Sequence, residues 1–219
     1  MLDIVVLASG RGSNFAALLA AQARGDLPIR VRALLSDKAK APALDIARNA
    51  GVTATALSPR DYPDRASFDR ALFARAAQFQ PDLIVLTGFM RVIDTTVIGQ
   101  WRGKVINIHP SLLPKYPGLH THQRALDAGE ATHGASVHFV TAELDGGPVI
   151  AHVELPVHAD DSVDSLAARL LTQEHRLLVA TVDLIARDRV VLGAEGVTFD
   201  GRVLRSPLKF NDSGTLTAA

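Results

Sequence analysis

Asn107 and His109 stand two residues apart at the end of the apolar run Val105-Ile106-Asn107-Ile108, just before Pro110. If that run is a strand, side-chain alternation puts the amide and the imidazole on one face. The residue before a proline is biased to extended backbone, so His109 is expected to continue the strand. Both groups can then act on one atom, at the strand end where open α/β sheets bind ligands. The chemistry that suits the pair is acyl transfer to an amine, whose tetrahedral intermediate carries negative charge on the former carbonyl oxygen. Asn107 can donate to that oxygen, a role worth about 3–4 kcal/mol where such a donor has been removed. His109 titrates near neutrality and can give a proton to the oxyanion or to the leaving nitrogen. Asp145, on the turn Asp145-Gly146-Gly147-Pro148, is the candidate acid partner favouring the imidazolium. The competing reading is a hydrogen-bonded or surface histidine at a strand end.

A second group of residues suits phosphate. Gly10-Arg11-Gly12-Ser13-Asn14 follows an apolar run and precedes helical spacing, so backbone N–H groups and the positive end of a helix dipole can converge on an anion. An ordinary tight turn is the bland alternative, and a dinucleotide fingerprint is a sharper one, with Asp37 placed to meet a ribose. Phe15, however, occupies the third glycine position of that fingerprint, which needs close helix–strand packing. A monophosphate is therefore expected. Of the remaining histidines, His120, His122, His133 and His138 could in principle bind a metal, but no pair has the HExxH spacing and no metal is expected.

These groups need a scaffold, and the pattern of the chain predicts one. Apolar runs at residues 2–8, 29–35, 52–57, 83–87 and 105–108 read as strands. Between them, helical spacing follows the glycine turn and recurs at residues 42–49, closed by Gly51, and at 64–79, where Phe68, Leu72, Ala76 and Phe79 share a face before Pro81. Alternating strands and helices predict a doubly wound, mostly parallel α/β sheet of Rossmann-like type. After His109 the pattern changes. A proline-punctuated loop at 111–116 leads to strands at 136–140 and 149–155, expected to pair as an antiparallel extension. Ser162 is expected to cap a long helix to about residue 187, and short strands follow near Val190, Val197 and Val203. No linker or compositional break appears, so a single domain over residues 1–210 is expected, with a disordered tail at 211–219.

Composition narrows the function classes. Lys+Arg and Asp+Glu are both 23, so the net charge is zero and nothing resembles the basic footprint of a nucleic-acid binder. The absence of cysteine excludes disulfides, thiolate nucleophiles and cysteine-ligated metals. No apolar run reaches the roughly 20 residues that span a bilayer, and the N-terminus lacks the pattern of a signal peptide, so a cytoplasmic protein without a membrane partner is expected.

The run Asn107-Ile108-His109-Pro110-Ser111-Leu112-Leu113-Pro114-Lys115-Tyr116-Pro117-Gly118-Leu119-His120 resembles the signature of the glycinamide ribonucleotide formyltransferases, folate-dependent enzymes of purine synthesis. The resemblance continues through Gly12-Ser13-Asn14, Gly88-Phe89-Met90-Arg91, His138-Phe139-Val140, Glu143-Leu144-Asp145-Gly146-Gly147-Pro148 and Gln173-Glu174-His175. It implies transfer of a formyl group from 10-formyltetrahydrofolate, as co-substrate, to the amine of 5'-phosphoribosylglycinamide. It also implies that Asn107, His109 and Asp145 are catalytic, with the Asp keeping the His positively charged. Gly12, Ser13 and Asn14 would hold the phosphate, and Glu174, with Leu171, Thr172 and Gln173, the nucleotide. Arg65, Met90, Arg91, Val92, Ile93, Asn107, Thr141, Ala142, Glu143, Leu144 and Asp145 would line the folate site. A monomer or a homodimer would serve.

One implied role has a pattern of its own. Val163, Ala167, Leu170, Glu174, Leu177 and Thr181 fall on one helical face, so Glu174 interrupts a largely apolar stripe and a carboxylate there needs a partner. An internal ion pair with Arg91 or Arg169 is the alternative to a ligand. Rival activities are a formyltetrahydrofolate deformylase, which carries a further N-terminal domain whereas the first strand here starts at Leu2, a methionyl-tRNA formyltransferase with its C-terminal nucleic-acid-binding domain, and a non-catalytic nucleotide sensor.

Overall fold

Four consecutive residues of the first strand, Ile4, Val5, Val6 and Leu7, are fully buried, as expected for a parallel strand covered by helices on both faces. The structure, a computed structural model, describes residues 1–211 and 213–218. The chain divides into two compact units, Met1–Asn107 with Val140–Ala142, and Ile108–Phe139 with the residues from Glu143 onward. Sequence predicts a single domain without a linker. No linker marks the division because it falls inside a strand, between Asn107 and Ile108.

The first unit alternates strand and helix: β1 (Leu2–Leu7), α1 (Ser13–Ala23), β2 (Ile29–Ser36), α2 (Pro42–Asn49), β3 (Thr53–Ala56), α3 (Arg65–Ala77), β4 (Leu83–Leu86), α4 (Thr95–Gln100) and the start of β5 (Val105–His109). All pairings are parallel, in the order β3-β2-β1-β4-β5. Local rules set the boundaries. Pro42 occupies the first turn of α2, where its missing N–H costs nothing, and Gly51 follows the helix at φ 71°. The Asp64 carboxylate caps α3 by accepting from the Ser67 N–H at 2.7 Å. Phe68, Leu72 and Ala76 of α3 are fully buried, packed with Phe73 against Val5, Leu7, Ala33, Leu35, Ile84 and Val105. Phe79 lies beyond the helix and is only partly covered. The short helix α4 escapes sequence reading because six residues carry too little periodicity.

The second unit holds α5 (Thr121–Asp127), β6 (Thr132–Phe139), β7 (Val149–Pro156), α6 (Val163–Ala186), β8 (Val190–Leu192), β9 (Val197–Phe199), β10 (Arg202–Val203), β11 (Leu208–Phe210) and β12 (Leu216–Thr217). β6 and β7 pair antiparallel as expected, β11 joins β7 in parallel, and β8, β9 and β10 form a separate antiparallel sheet. Ser162 caps α6 in a reciprocal box with Ser165, at 3.1 and 2.9 Å. Where a disordered tail is expected, Asn211 Oδ1 accepts from the Thr215 N–H at 3.0 Å, and Leu216 and Thr217 pair with β11. Asp212 and Ala219, also part of that expectation, lie outside the described residues. Among the described residues no helix is long and apolar enough to cross a membrane.

On β6, His133 is 1% exposed and meets His122 of α5, with ring nitrogens 3.1 Å apart. Burial, followed by the facing His122, pushes the His133 imidazole down to about 4. The folded state thus takes up its proton later than the unfolded chain, so stability is complete above about pH 6.5 and is lost as pH falls towards 4. We predict a decline of up to about 3 kcal/mol from this one group across that window. Urea denaturation of the wild type and His133→Asn at pH 7 and pH 4.5 checks this, the variant losing less.

Candidate active site

In the first unit, Gly12 begins α1 with φ 79°, and a Cβ there would lie 2.7 Å from the Ala43 Cβ. Only glycine fits this turn, which leaves the first N–H groups of α1 without a capping side chain and directed at whatever occupies the helix end. Asn14 is buried, Ser13 half-buried and Arg11 exposed. Phe15 is fully buried beneath the turn, where the third glycine of a dinucleotide fingerprint would stand. A helix start of this kind can accept an anion.

The segment after β4 is tied down at two points. Ser9 Oγ accepts from the Met90 N–H at 2.9 Å, and the Asp69 carboxylate of α3 accepts from the Asp94 N–H at 2.7 Å. Between these anchors Met90 is 61% exposed and Val92 is exposed, while Ile93 is buried in the apolar core, leaving only its backbone for a ligand. The Arg91 guanidinium lies 4.8 Å from the Phe68 ring centroid. Arg65, at the start of α3, is exposed, as is Ala142, and Thr141 is half-buried.

Strand β5 runs through to His109, so Asn107 and His109 keep the two-residue spacing of one strand, the first half-buried and the second 6% exposed. In the second unit His109 Nδ1 lies 3.5 Å from Asp145 Oδ2, and Nε2 lies 2.9 Å from the Tyr116 carbonyl. That carbonyl can only accept, so Nε2 carries a proton, and proton uptake occurs at Nδ1, facing the carboxylate. Asp145 is itself held from several sides: the Gly118 N–H donates to Oδ2 at 2.8 Å, and His138 Nε2 stands 3.6 Å from Oδ1. Burial raises the Asp145 carboxyl, but His138, the Gly118 N–H and the His109 charge outweigh it, and the group sits below the usual carboxylate range. Burial is also the largest influence on His109 and lowers it. Tyr116 and Asp145 oppose that shift without cancelling it. The expected imidazolium-favouring partner is therefore present, and desolvation still wins.

His138, the Tyr116 carbonyl and the Gly118 amide are the contributors that sequence reading did not place. His138 sits on a strand buried along nearly its whole length, where alternation gives no signal, and the other two are backbone groups, invisible in side-chain patterns. Glu143 and Leu144 are exposed beside Asp145. On α6, Glu174 is 8% exposed, flanked by half-buried Leu171 and Gln173 and exposed Thr172. Arg169 bonds instead to Asp161 and to the Pro156 carbonyl. Among the described residues no group of three or more His, Cys, Asp or Glu could hold a metal ion.

The formyl transferase family signature matches residues 2–182. The phosphoribosylglycinamide formyltransferase of Escherichia coli (strain K12) is 44% identical over 203 residues, covering 93% of this chain and 96% of the relative. The phosphoribosylglycinamide formyltransferase of Mycobacterium tuberculosis (strain CDC 1551 / Oshkosh) is 40% identical over 91% of this chain and 88% of its own. Among solved structures, the phosphoribosylglycinamide formyltransferase of Coxiella burnetii in complex with CHES superposes with a TM-score of 0.92 at 39% identity, over 96% of this chain and 99% of that one. With this fold, this site and these relatives, the chain belongs to the formyl transferase family.

Proposed function

We propose that the chain transfers the formyl group of 10-formyltetrahydrofolate to the amine of 5'-phosphoribosylglycinamide, giving N-formylglycinamide ribonucleotide and tetrahydrofolate, as a cytoplasmic step of purine synthesis. The observation that carries the reading is the buried His109 imidazole held between the Asp145 carboxylate and the Tyr116 carbonyl, two residues beyond Asn107 on one strand.

In this reading the amine nitrogen bonds to the formyl carbon and the carbonyl electrons move to oxygen. Asn107 donates its amide N–H to that oxygen. The amine must lose one proton and the departing folate nitrogen must gain one, so His109 relays it and ends in its starting state. Asp145 steadies the ring while it is charged. Gly12, Ser13 and Asn14 hold the phosphate at the start of α1, and Glu174, with Leu171, Thr172 and Gln173, contacts the rest of the nucleotide. Arg65, the Met90 to Ile93 segment, Asn107 and the Thr141 to Asp145 loop hold the folate.

Three outcomes test this. His109→Ala is expected to lower kcat by about 10²–10⁴-fold while nucleotide affinity stays within about threefold. Equal losses in both would make His109 a binding residue, and folate release in the absence of the nucleotide amine would indicate a deformylase. Glu174→Ala should weaken nucleotide binding about tenfold by calorimetry, equivalent to about 1.4 kcal/mol, with folate affinity unchanged. An unchanged nucleotide affinity would make Glu174 structural. Gly12→Val, whose Cβ meets Ala43 at 2.7 Å, should raise the KM for the nucleotide selectively, and a normal KM in a folded variant would remove the helix start from the site.

A further inference from the structure

We propose that Glu130 is a positioning residue for His109, acting through Tyr116: its carboxylate holds the phenol end of the residue whose peptide carbonyl anchors the imidazole. The inference rests on the catalytic reading of His109 and names a residue that reading leaves out.

Glu130 lies between α5 and β6, outside any regular element. Its Oε1 accepts from the Tyr116 hydroxyl at 2.7 Å, and its two oxygens accept from Lys115 Nζ at 2.7 and 2.9 Å. Tyr116 has φ 54°, a left-handed conformation that costs a non-glycine residue free energy and persists only when its surroundings hold it. The holds converge on this one residue. Glu130 takes the hydroxyl, the Arg124 guanidinium lies 5.2 Å from the ring centroid, and Arg124 also donates to the Pro117 carbonyl at 2.6 Å. Ser111 Oγ donates to the Lys115 carbonyl at 2.6 Å, and Ser136 Oγ donates to the Ser111 carbonyl at 2.8 Å, bracing the same turn from below. The product of this bracing is the Tyr116 carbonyl, 2.9 Å from His109 Nε2.

That carbonyl matters to the proton as well as to the ring. An acceptor bonds an imidazolium N–H more strongly than a neutral one, so holding it in place favours the charged form. The Tyr116 bond is the leading influence that raises His109 against burial. The other titratable and charged groups that face the ring are Asp145 on its turn, His138 and His133 on β6, and Arg124 and His122 on α5. Asp145 favours the imidazolium and the rest oppose it. With these unchanged, loosening the Tyr116 carbonyl should lower the affinity of His109 for its proton.

The test is a direct titration of the His109 ring protons by NMR in the full chain, assigned by their loss in His109→Ala, for the wild type, Tyr116→Phe, Glu130→Gln and Glu130→Ala. Tyr116→Phe keeps the backbone and ring and removes only the hydroxyl that Glu130 accepts, so it remains informative should Glu130→Ala fail to fold. The expected result is a downward shift of about half a pH unit or more in Tyr116→Phe and Glu130→Ala, with a smaller shift in Glu130→Gln, which keeps an acceptor. The expected kinetic counterpart is a fall in kcat of about threefold or more at neutral pH with KM little changed. An unmoved His109 titration overturns the proposal, including the case where kcat, KM and the melting temperature all suffer together, because that pattern marks Glu130 as merely structural. A fully active His109→Ala would instead defeat the catalytic reading, while the titrations would still report whether Glu130 positions the ring.

Discussion

An imidazole and a carboxylate buried side by side face opposed demands, and the second unit is organised around them. Removing His109 from water favours its neutral form, whereas a charged Asp145 nearby favours its protonated form. Burial wins at His109, so its affinity for a proton lies below that of a free imidazole. Asp145 keeps its charge in the same surroundings because partners from separate elements reach it: the Gly118 N–H donates from one loop, and the His138 ring of β6 and the His109 ring lie close by. A buried anion with fewer partners would neutralise.

Meeting that requirement bends the backbone. Tyr116 and Asp145 both adopt positive φ without being glycine, at 54° and 49°. Each such residue costs on the order of 1 kcal/mol or more, and such strain concentrates where side chains or peptide groups must be aimed against local preference. Here the aimed groups are the carbonyl that meets His109 and the carboxylate that faces it. In the first unit a single glycine at φ 79° starts α1 without a capping side chain.

Much of this was legible in the chain. Apolar runs separated by helical spacing predicted β1 to β5, most clearly β1 and β4, where burial on both faces leaves a continuous hydrophobic stretch, whereas β3 carries no buried residue. The caps at Asp64 and Ser162 and the stop at Gly51 were readable because capping is local chemistry. Glu174 announced itself as a charge in an apolar stripe, and the Asn107–His109 spacing was enough to suggest a shared strand face. Short elements such as α4 and β11 were not readable. They owe their form to neighbours distant in sequence, as when β11 pairs in parallel with β7.

The sequence by itself determined which side chains were available for acid–base and amide chemistry, and the periodicities that set them at strand ends and helix starts, since these depend on residues a few positions apart. Only the tertiary structure decided which partners each group meets. His138 shares Asp145 with His109, a tyrosine contributes its carbonyl as well as its ring, and the expected support of the charged imidazole is outweighed by desolvation. Proton affinity is a property of everything within a few ångströms of a group, and that shell is assembled from segments that adjacency along the chain does not reveal.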